Sequence, residues 1–196
     1  MRIIDNYFDK SSSIIKNLYI HKKEILQIIR KIYQCNKNKK KILIAGNGGS
    51  CADAEHFAGE LVCTFINRKR EAISAIPLST HSAAITAWSN DFDFNSYYKR
   101  QIEANGKKGD ILFLLSTSGG ELANKASINL VNAAKEASKR GLFVISLVGK
   151  TGGVLKKISN IYINILDSNT SFIQEAHMSI LHCICLCLDK ELEKKK

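Results

Sequence analysis

A doubly wound α/β domain, a five-stranded parallel sheet flanked by helices, is the fold class this sequence predicts, on three observations. Five short apolar runs stand between residues 41 and 166: KILIAG (41–46), AISAI (72–76), DILFLLS (110–116), LFVISLV (142–148) and IYINIL (161–166). Nearly continuous, β-branched runs of this kind are strands buried on both faces, as in a parallel sheet. The segments between them can mostly hold a helix, which gives repeated βα units. Finally, three of the runs lead straight into Gly/Ser loops, GNGGS, STSGG and VGKTGG. Ligands of open parallel sheets bind where such loops sit, at the carboxyl ends of the strands.

The flanking segments are helical. Residues 3–36 carry Ile14, Ile15, Leu18, Ile25, Leu26, Ile28, Ile29 and Ile32 at helical spacing, so one or two long helices come first. The stretch from about Thr170 to Lys194 is helical again. The chain has one proline and no low-complexity linker. Residues 1–196 are therefore expected to form one domain, with 1–36 as a helical extension.

A chain of 196 residues with 45% apolar and 24% charged residues is that of a globular protein. At that size a core forms without disulfides or metals. No apolar run reaches the roughly 18 residues of a membrane span. MRIIDNYFDK lacks the layout of a secretory signal, so a cytoplasmic protein without membrane partners is expected. Of the six cysteines none forms a CxxC pair. Cys183, Cys185 and Cys187 are expected as small core side chains in a reducing compartment. The net charge of +11 is partly clustered, in Lys39–Lys41, Arg68–Arg70 and Lys194–Lys196. It favours anionic partners. No aromatics interleave with the basic clusters as in a single-strand platform, so a phosphorylated small molecule is expected rather than nucleic acid.

GNGGSC fails the P-loop pattern, because no Gly-Lys-Ser/Thr closes it. It also fails GxGxxG, because Cys51 replaces the third glycine. A smaller anion still fits, since glycines let backbone N–H groups approach and the next helix presents its positive end. STSGG (Ser116, Thr117, Ser118, Gly119, Gly120) is the better phosphate cradle, although a serine-rich turn with a helix cap would look the same.

His56 and Glu60 stand one helical turn apart and share a face. Alone they would be an ordinary hydrogen-bonded pair. A second polar set, Gln174, Glu175, His177 and His182, interrupts the strongly apolar FIQEAHMSILHCICL. Polar side chains in a packed helix need partners.

GNGGS, HFAGE, SNDFDFN (89–95), STSGG, LVGKTGG and IQEAHMSILH together resemble the phosphoheptose isomerases of the sugar isomerase (SIS) superfamily, over nearly the whole chain. The resemblance implies a flavodoxin-like five-stranded parallel sheet and a homotetramer with sites at subunit interfaces. It implies interconversion of sedoheptulose 7-phosphate, a phosphorylated seven-carbon sugar, with D-glycero-D-manno-heptose 7-phosphate, which opens ADP-heptose synthesis for surface polysaccharides. It implies one zinc ion (Zn2+) per subunit, held by His56, Glu60, Gln174 and His182. Substrate contacts are implied for Asn47, Gly48, Gly49, Glu60, Asn90, Asp91, Ser116, Thr117, Ser118 and Gln174.

One departure concerns the phosphate loop, which reads STSGGELANKAS where the family has STSGNS. The family's last loop serine aligns with Ser127 or with Glu121. A carboxylate would repel phosphate, which favours Ser127. A second concerns Gln174 and His182, eight residues apart and so about 12 Å apart along one straight helix.

An aldose–ketose isomerase moves a proton between C1 and C2 and another between their oxygens, through an enediol. Glu60 is assigned the carbon proton and His182 the oxygens. The rival reading is a non-catalytic tetramer that binds the replication initiator DnaA. Relatives of that kind generally lack the Glu60 and His182 equivalents, and both stand here.

Overall fold

The computed structural model describes residues 2–121 and 126–193. Strands β1 (Ile42–Gly46), β2 (Ala75–Pro77), β3 (Ile111–Ser116), β4 (Phe143–Gly149) and β5 (Ile161–Ile165) form one sheet in the order β2-β1-β3-β4-β5. Every neighbouring pair is parallel. The helices are α1 (Arg2–Asn17), α2 (Lys22–Lys37), α3 (Gly49–Val62), α4 (Ser82–Asp91), α5 (Phe94–Asn105), α6 (Ile128–Lys139), the short α7 (Leu155–Ile158) and α8 (Thr170–Glu193).

Strand side chains alternate between two cores, as the two-residue period requires. Ile42, Ile44, Ile111, Phe113, Leu115, Ile145 and Leu147 pack with α2, α3 and α8. Leu43, Ala45, Leu112, Leu114 and Val144 pack with α5 and α6. The apolar stripe Ile25, Ile28, Ile29, Ile32 and Cys35 buries one face of α2. From α1, Tyr7 and Ser11 donate hydrogen bonds to the Glu175 carboxylate on α8.

Three expectations shift. The second strand covers only Ala75–Pro77, not residues 72–76. Ile73 is buried, but its N–H bonds to the Leu61 carbonyl and so leaves the sheet ladder. Of the three C-terminal cysteines only Cys185 is buried; Cys183 is exposed and Cys187 half-buried. A helix turns cysteines two residues apart onto different faces. The predicted last helix is described to Glu193, and Lys194, with the cluster Lys194–Lys196, lies outside the described residues. Thr170–Leu192 is long and apolar enough to cross a membrane, but 50% of it is buried inside the protein, as in a core helix.

The strand order reverses between β1 and β3. A crevice at such a switch point, outside the carboxyl ends of the strands, is where doubly wound sheets hold ligands.

Candidate active site

The loop after β1 enters α3 through a tight turn. The Ser50 N–H donates to the Asn47 carbonyl at 3.0 Å, and Gly48 takes φ 54°, ψ −123°. That is the first central position of a type II′ turn, which requires glycine. The turn aims the N-terminus of α3 at the crevice. On the far side, Asn47 and Asn129 exchange two amide hydrogen bonds of 2.9 and 2.8 Å. Asn129 is buried in the first turn of α6, so the bond pair ties the β1 loop to the helix after β3.

The loop after β3 gathers hydroxyls. Ser116 Oγ and Ser118 Oγ lie 3.2 and 3.4 Å from Ser127 Oγ, and 3.5 Å from each other. Ser127 precedes α6 in a left-handed conformation, φ 56°, ψ 28°. The helix N-terminus behind it favours an anion. Glu121 instead pairs its backbone with Ala126, its N–H donating to the Ala126 carbonyl at 3.0 Å. Of the two aligned positions, Ser127 is the one joined to the serine cluster. The loop is held down by glycine-to-glycine packing. A Cβ at Gly119 would stand 2.1 Å from the Gly152 carbonyl oxygen, and the Val154 and Leu155 N–H groups donate to the Gly120 and Gly119 carbonyls at 3.0 and 2.8 Å.

Acid–base groups meet between α3 and α8. His56 Nε2 lies 3.1 Å from His182 Nε2 and 3.5 Å from Glu60 Oε1. Phe65, in the segment after α3, stacks on the His182 ring with centroids 5.6 Å apart. Asp53, one turn before His56, is pushed towards its neutral form by burial, opposed by His56, and its Oδ2 has no partner. Zinc held by nitrogen at about 2.0–2.1 Å in a tetrahedron sets ligand atoms about 3.3 Å apart. The two separations at His56 match that edge. Among the described residues no group of three or more His, Cys, Asp and Glu side chains is already gathered to hold a metal, so Glu60 and His182 are each paired with His56 rather than caged with it.

Gln174 stands elsewhere in the site. A Cβ added to Gly49 would meet Gln174 Nε2 at 2.2 Å, so Gln174 lies against the first turn of α3. His182 pairs with His56, seven residues along α3, or about 10 Å farther on. The two helices therefore run side by side in the same direction, with the glutamine at their first turns and the histidine pair about two turns farther along, near their middles. Asn90 and Asp91 are exposed at the end of α4, where the Asn90 amide donates to Asp91 Oδ1 at 2.8 Å; among the described residues no hydrogen bond ties them to either loop. Thr117 is half-buried in the serine loop.

Asn129 and Phe65 belong to this arrangement, and sequence reasoning missed both. Their partners lie 82 residues away for Asn129 and on another helix for Phe65. His177 was noted only as a polar residue needing a partner. It is buried and donates through Nε2 to the Val148 carbonyl at 3.2 Å.

Two serine- and glycine-built loops at the switch point of a β2-β1-β3-β4-β5 sheet, with histidines on the adjoining helices, define a SIS domain protein. The chain belongs to that family, whose SIS domain model matches residues 6–149. Its relatives narrow the family to the phosphoheptose isomerases. The chain is 44% identical over 154 residues to the phosphoheptose isomerase of Nitratiruptor, covering 79% of each chain. It is 39% identical over 170 residues to that of Neisseria meningitidis, covering 85% of this chain and 83% of the relative. The solved phosphoheptose isomerase GmhA from Neisseria gonorrhoeae superposes with a TM-score of 0.87 at 33% identity, over 96% of this chain and 98% of that one.

Proposed function

We propose that the chain is the isomerase that interconverts sedoheptulose 7-phosphate and D-glycero-D-manno-heptose 7-phosphate, feeding ADP-heptose synthesis. The observation that carries this is the approach of Glu60 and His182 to His56 on helices that adjoin the sheet whose β3 loop gathers the serine cluster. Ser116, Ser118 and Ser127, with the α6 N-terminus, bind the phosphate and fix the sugar chain. Asn47, Gly48, Gly49 and Gln174 line the floor between phosphate and reacting carbons. Glu60 moves the proton between C1 and C2, and His182 serves their oxygens; positioned acid–base groups are typically worth about 10²–10⁴-fold.

His56, Glu60 and His182 are the residues that would hold zinc, with Gln174 reaching it only from about two turns earlier on α8. A zinc ion bound there would supply Lewis-acid polarisation of the sugar carbonyl. The working unit is a homotetramer. Ile3, Ile4, Phe8, Tyr19 and Ile20 on and beside α1 are exposed, and an apolar surface of that kind supports assembly. Six free thiols support a reducing, cytoplasmic setting. The DnaA-binding reading is not favoured, since both acid–base residues are present and the relatives are named isomerases.

The test is isomerisation of sedoheptulose 7-phosphate, followed by proton exchange at the sugar carbons in D₂O, before chelation, after it, and with zinc restored. Turnover that chelation abolishes and zinc restores is expected. No turnover in any of the three states overturns the reading.

A further inference from the structure

We infer that Arg70 and Asp189, outside the reacting centre, are positioning residues that hold Glu60 and His182 in register for proton transfer. The inference rests on the isomerase reading above.

The two side chains form a buried ion pair, Arg70 Nε to Asp189 Oδ1 at 2.6 Å, with 2% and 4% of each side chain exposed. Each charge is fully committed. The guanidinium also donates to the Leu61 and Glu71 carbonyls at 3.0 and 2.8 Å, and to the Glu60 carbonyl at 2.5 Å. Glu60 and Leu61 lie in the last turn of α3, where carbonyls lack helical partners and a cation is favoured. Asp189 Oδ2 accepts the Ile66 and Asn67 N–H groups, both at 2.8 Å. The residue just before them, Phe65, stacks on His182. Asp189 itself lies seven residues beyond His182 on α8, two turns along nearly the same face.

One buried pair therefore touches both sides of the reacting pair. Through the Glu60 carbonyl it sets where α3 ends and which way the Glu60 side chain leaves. Through residues 65–67 it sets the ring against which His182 rests. Its anchor on α8 fixes the spacing between the helices, and hence the 3.1 Å approach of His56 to His182. A buried pair of this kind adds little net stability over a well-packed apolar pair. Its yield is geometry, and displacement by about 1 Å can cost about 10²-fold in rate.

The test compares Arg70→Ala, Arg70→Lys and Asp189→Asn with Ile28→Val, a core control on α2. On the folded fraction, Arg70→Ala and Asp189→Asn are expected to lose kcat by about 10–100-fold with KM little changed, whereas Ile28→Val lowers Tm and keeps kcat. Arg70 lines a surface cavity of about 740 Å³, so millimolar guanidinium can enter its place and is expected to restore part of the Arg70→Ala kcat. Wild-type kcat per folded molecule in Arg70→Ala or Asp189→Asn overturns the inference. If Arg70→Ala does not fold, Arg70→Lys decides, because it keeps the charge but cannot serve all the carbonyls at once. If the wild-type chain itself fails to isomerise the sugar, the isomerase reading falls. Crystal structures then decide the positioning: a lengthened His56–His182 approach in Arg70→Lys supports it, and an unchanged one overturns it.

Discussion

Asn47 and Asn129 face each other across the crevice and exchange two amide hydrogen bonds, 2.9 and 2.8 Å long. The Asn129 Oδ1 also accepts the Leu130 N–H at 2.9 Å, so its orientation is fixed by the backbone of α6. The glycine loop after β1 thereby takes its position from the helix that presents the phosphate site. Replacing Asn129 by Leu removes both bonds and leaves the Asn47 amide without its partner. Loss of about 1–3 kcal/mol of stability is expected, read from chemical denaturation. A rise in KM for the sugar phosphate is expected with it, since both loops lose their common anchor.

Ser127 offers a test in which stability and binding move in opposite directions. Its left-handed φ of 56° is strained for a residue with a side chain. Its hydroxyl nevertheless sits 3.2 Å from Ser116 Oγ. Ser127→Gly relieves roughly 1 kcal/mol of strain and removes the hydroxyl. Tm is expected to rise while KM for the sugar phosphate rises several-fold. Ser127→Asp keeps the strain and adds a negative charge beside phosphate, so binding measured by calorimetry should be lost almost entirely.

Gly48 bears on the turn itself. A Cβ there would meet nothing within 4 Å, so the cost of Gly48→Ala is purely that of its backbone, φ 54° and ψ −123°. About 1–3 kcal/mol of destabilisation is expected, together with loss of turnover as the N-terminus of α3 turns away. An alanine variant with wild-type Tm and kcat would show that the turn relaxes freely.

The strands and the loops after them were legible because both depend on local pattern. The nearly continuous apolar runs of β1, β3 and β4 report burial on both faces, and serine or glycine at a strand's carboxyl end reports a loop that must stay slim. The helical spacing of His56 and Glu60 was legible for the same reason. Their meaning was not, because it depends on His182, 126 residues away. The rise per residue alone separated Gln174 from His182, and the structure keeps them about two turns apart along the helix pair. Arg70 was read only as part of the basic cluster Arg68–Arg70, although it is buried, and Asp189, Asn129 and Phe65 were not singled out. Each acts through a partner distant in sequence, and a buried polar side chain looks like an exposed one until packing is known. Asp189 carried the one usable signal, a lone carboxylate closing the apolar run ICLCLD. The cysteines of the same run misled, because a strand-like alternation of apolar residues fell within a helix.

Glu60→Gln and His182→Ala test the assigned proton transfers directly. Glu60→Gln keeps the shape of the side chain but cannot accept the carbon proton, and His182→Ala removes the ring stacked on Phe65. Each is expected to lose at least about 10²-fold in kcat with the fold intact by circular dichroism. Exchange of the carbon proton with D₂O should vanish in Glu60→Gln. Near-normal turnover in both would remove these residues from the chemistry.

His177 contributes to the acid limb of stability. The Val148 carbonyl can only accept, so Nε2 carries the proton and Nδ1 is left buried without a partner. Burial lowers the imidazole pKa from 6.5 to about 4, with the Val148 hydrogen bond opposing the shift. Between those values the unfolded chain binds a proton that the folded chain refuses, so stability rises with pH across that window. The contribution is fully present above pH 6.5 and is lost as pH falls to about 4, in total about 3 kcal/mol. His177→Gln keeps an N–H donor for Val148 without a titrating ring. Denaturation curves from pH 7 to pH 4 should therefore fall less steeply for the variant than for the wild type. Equal slopes would mean that the ring is protonated within the folded protein.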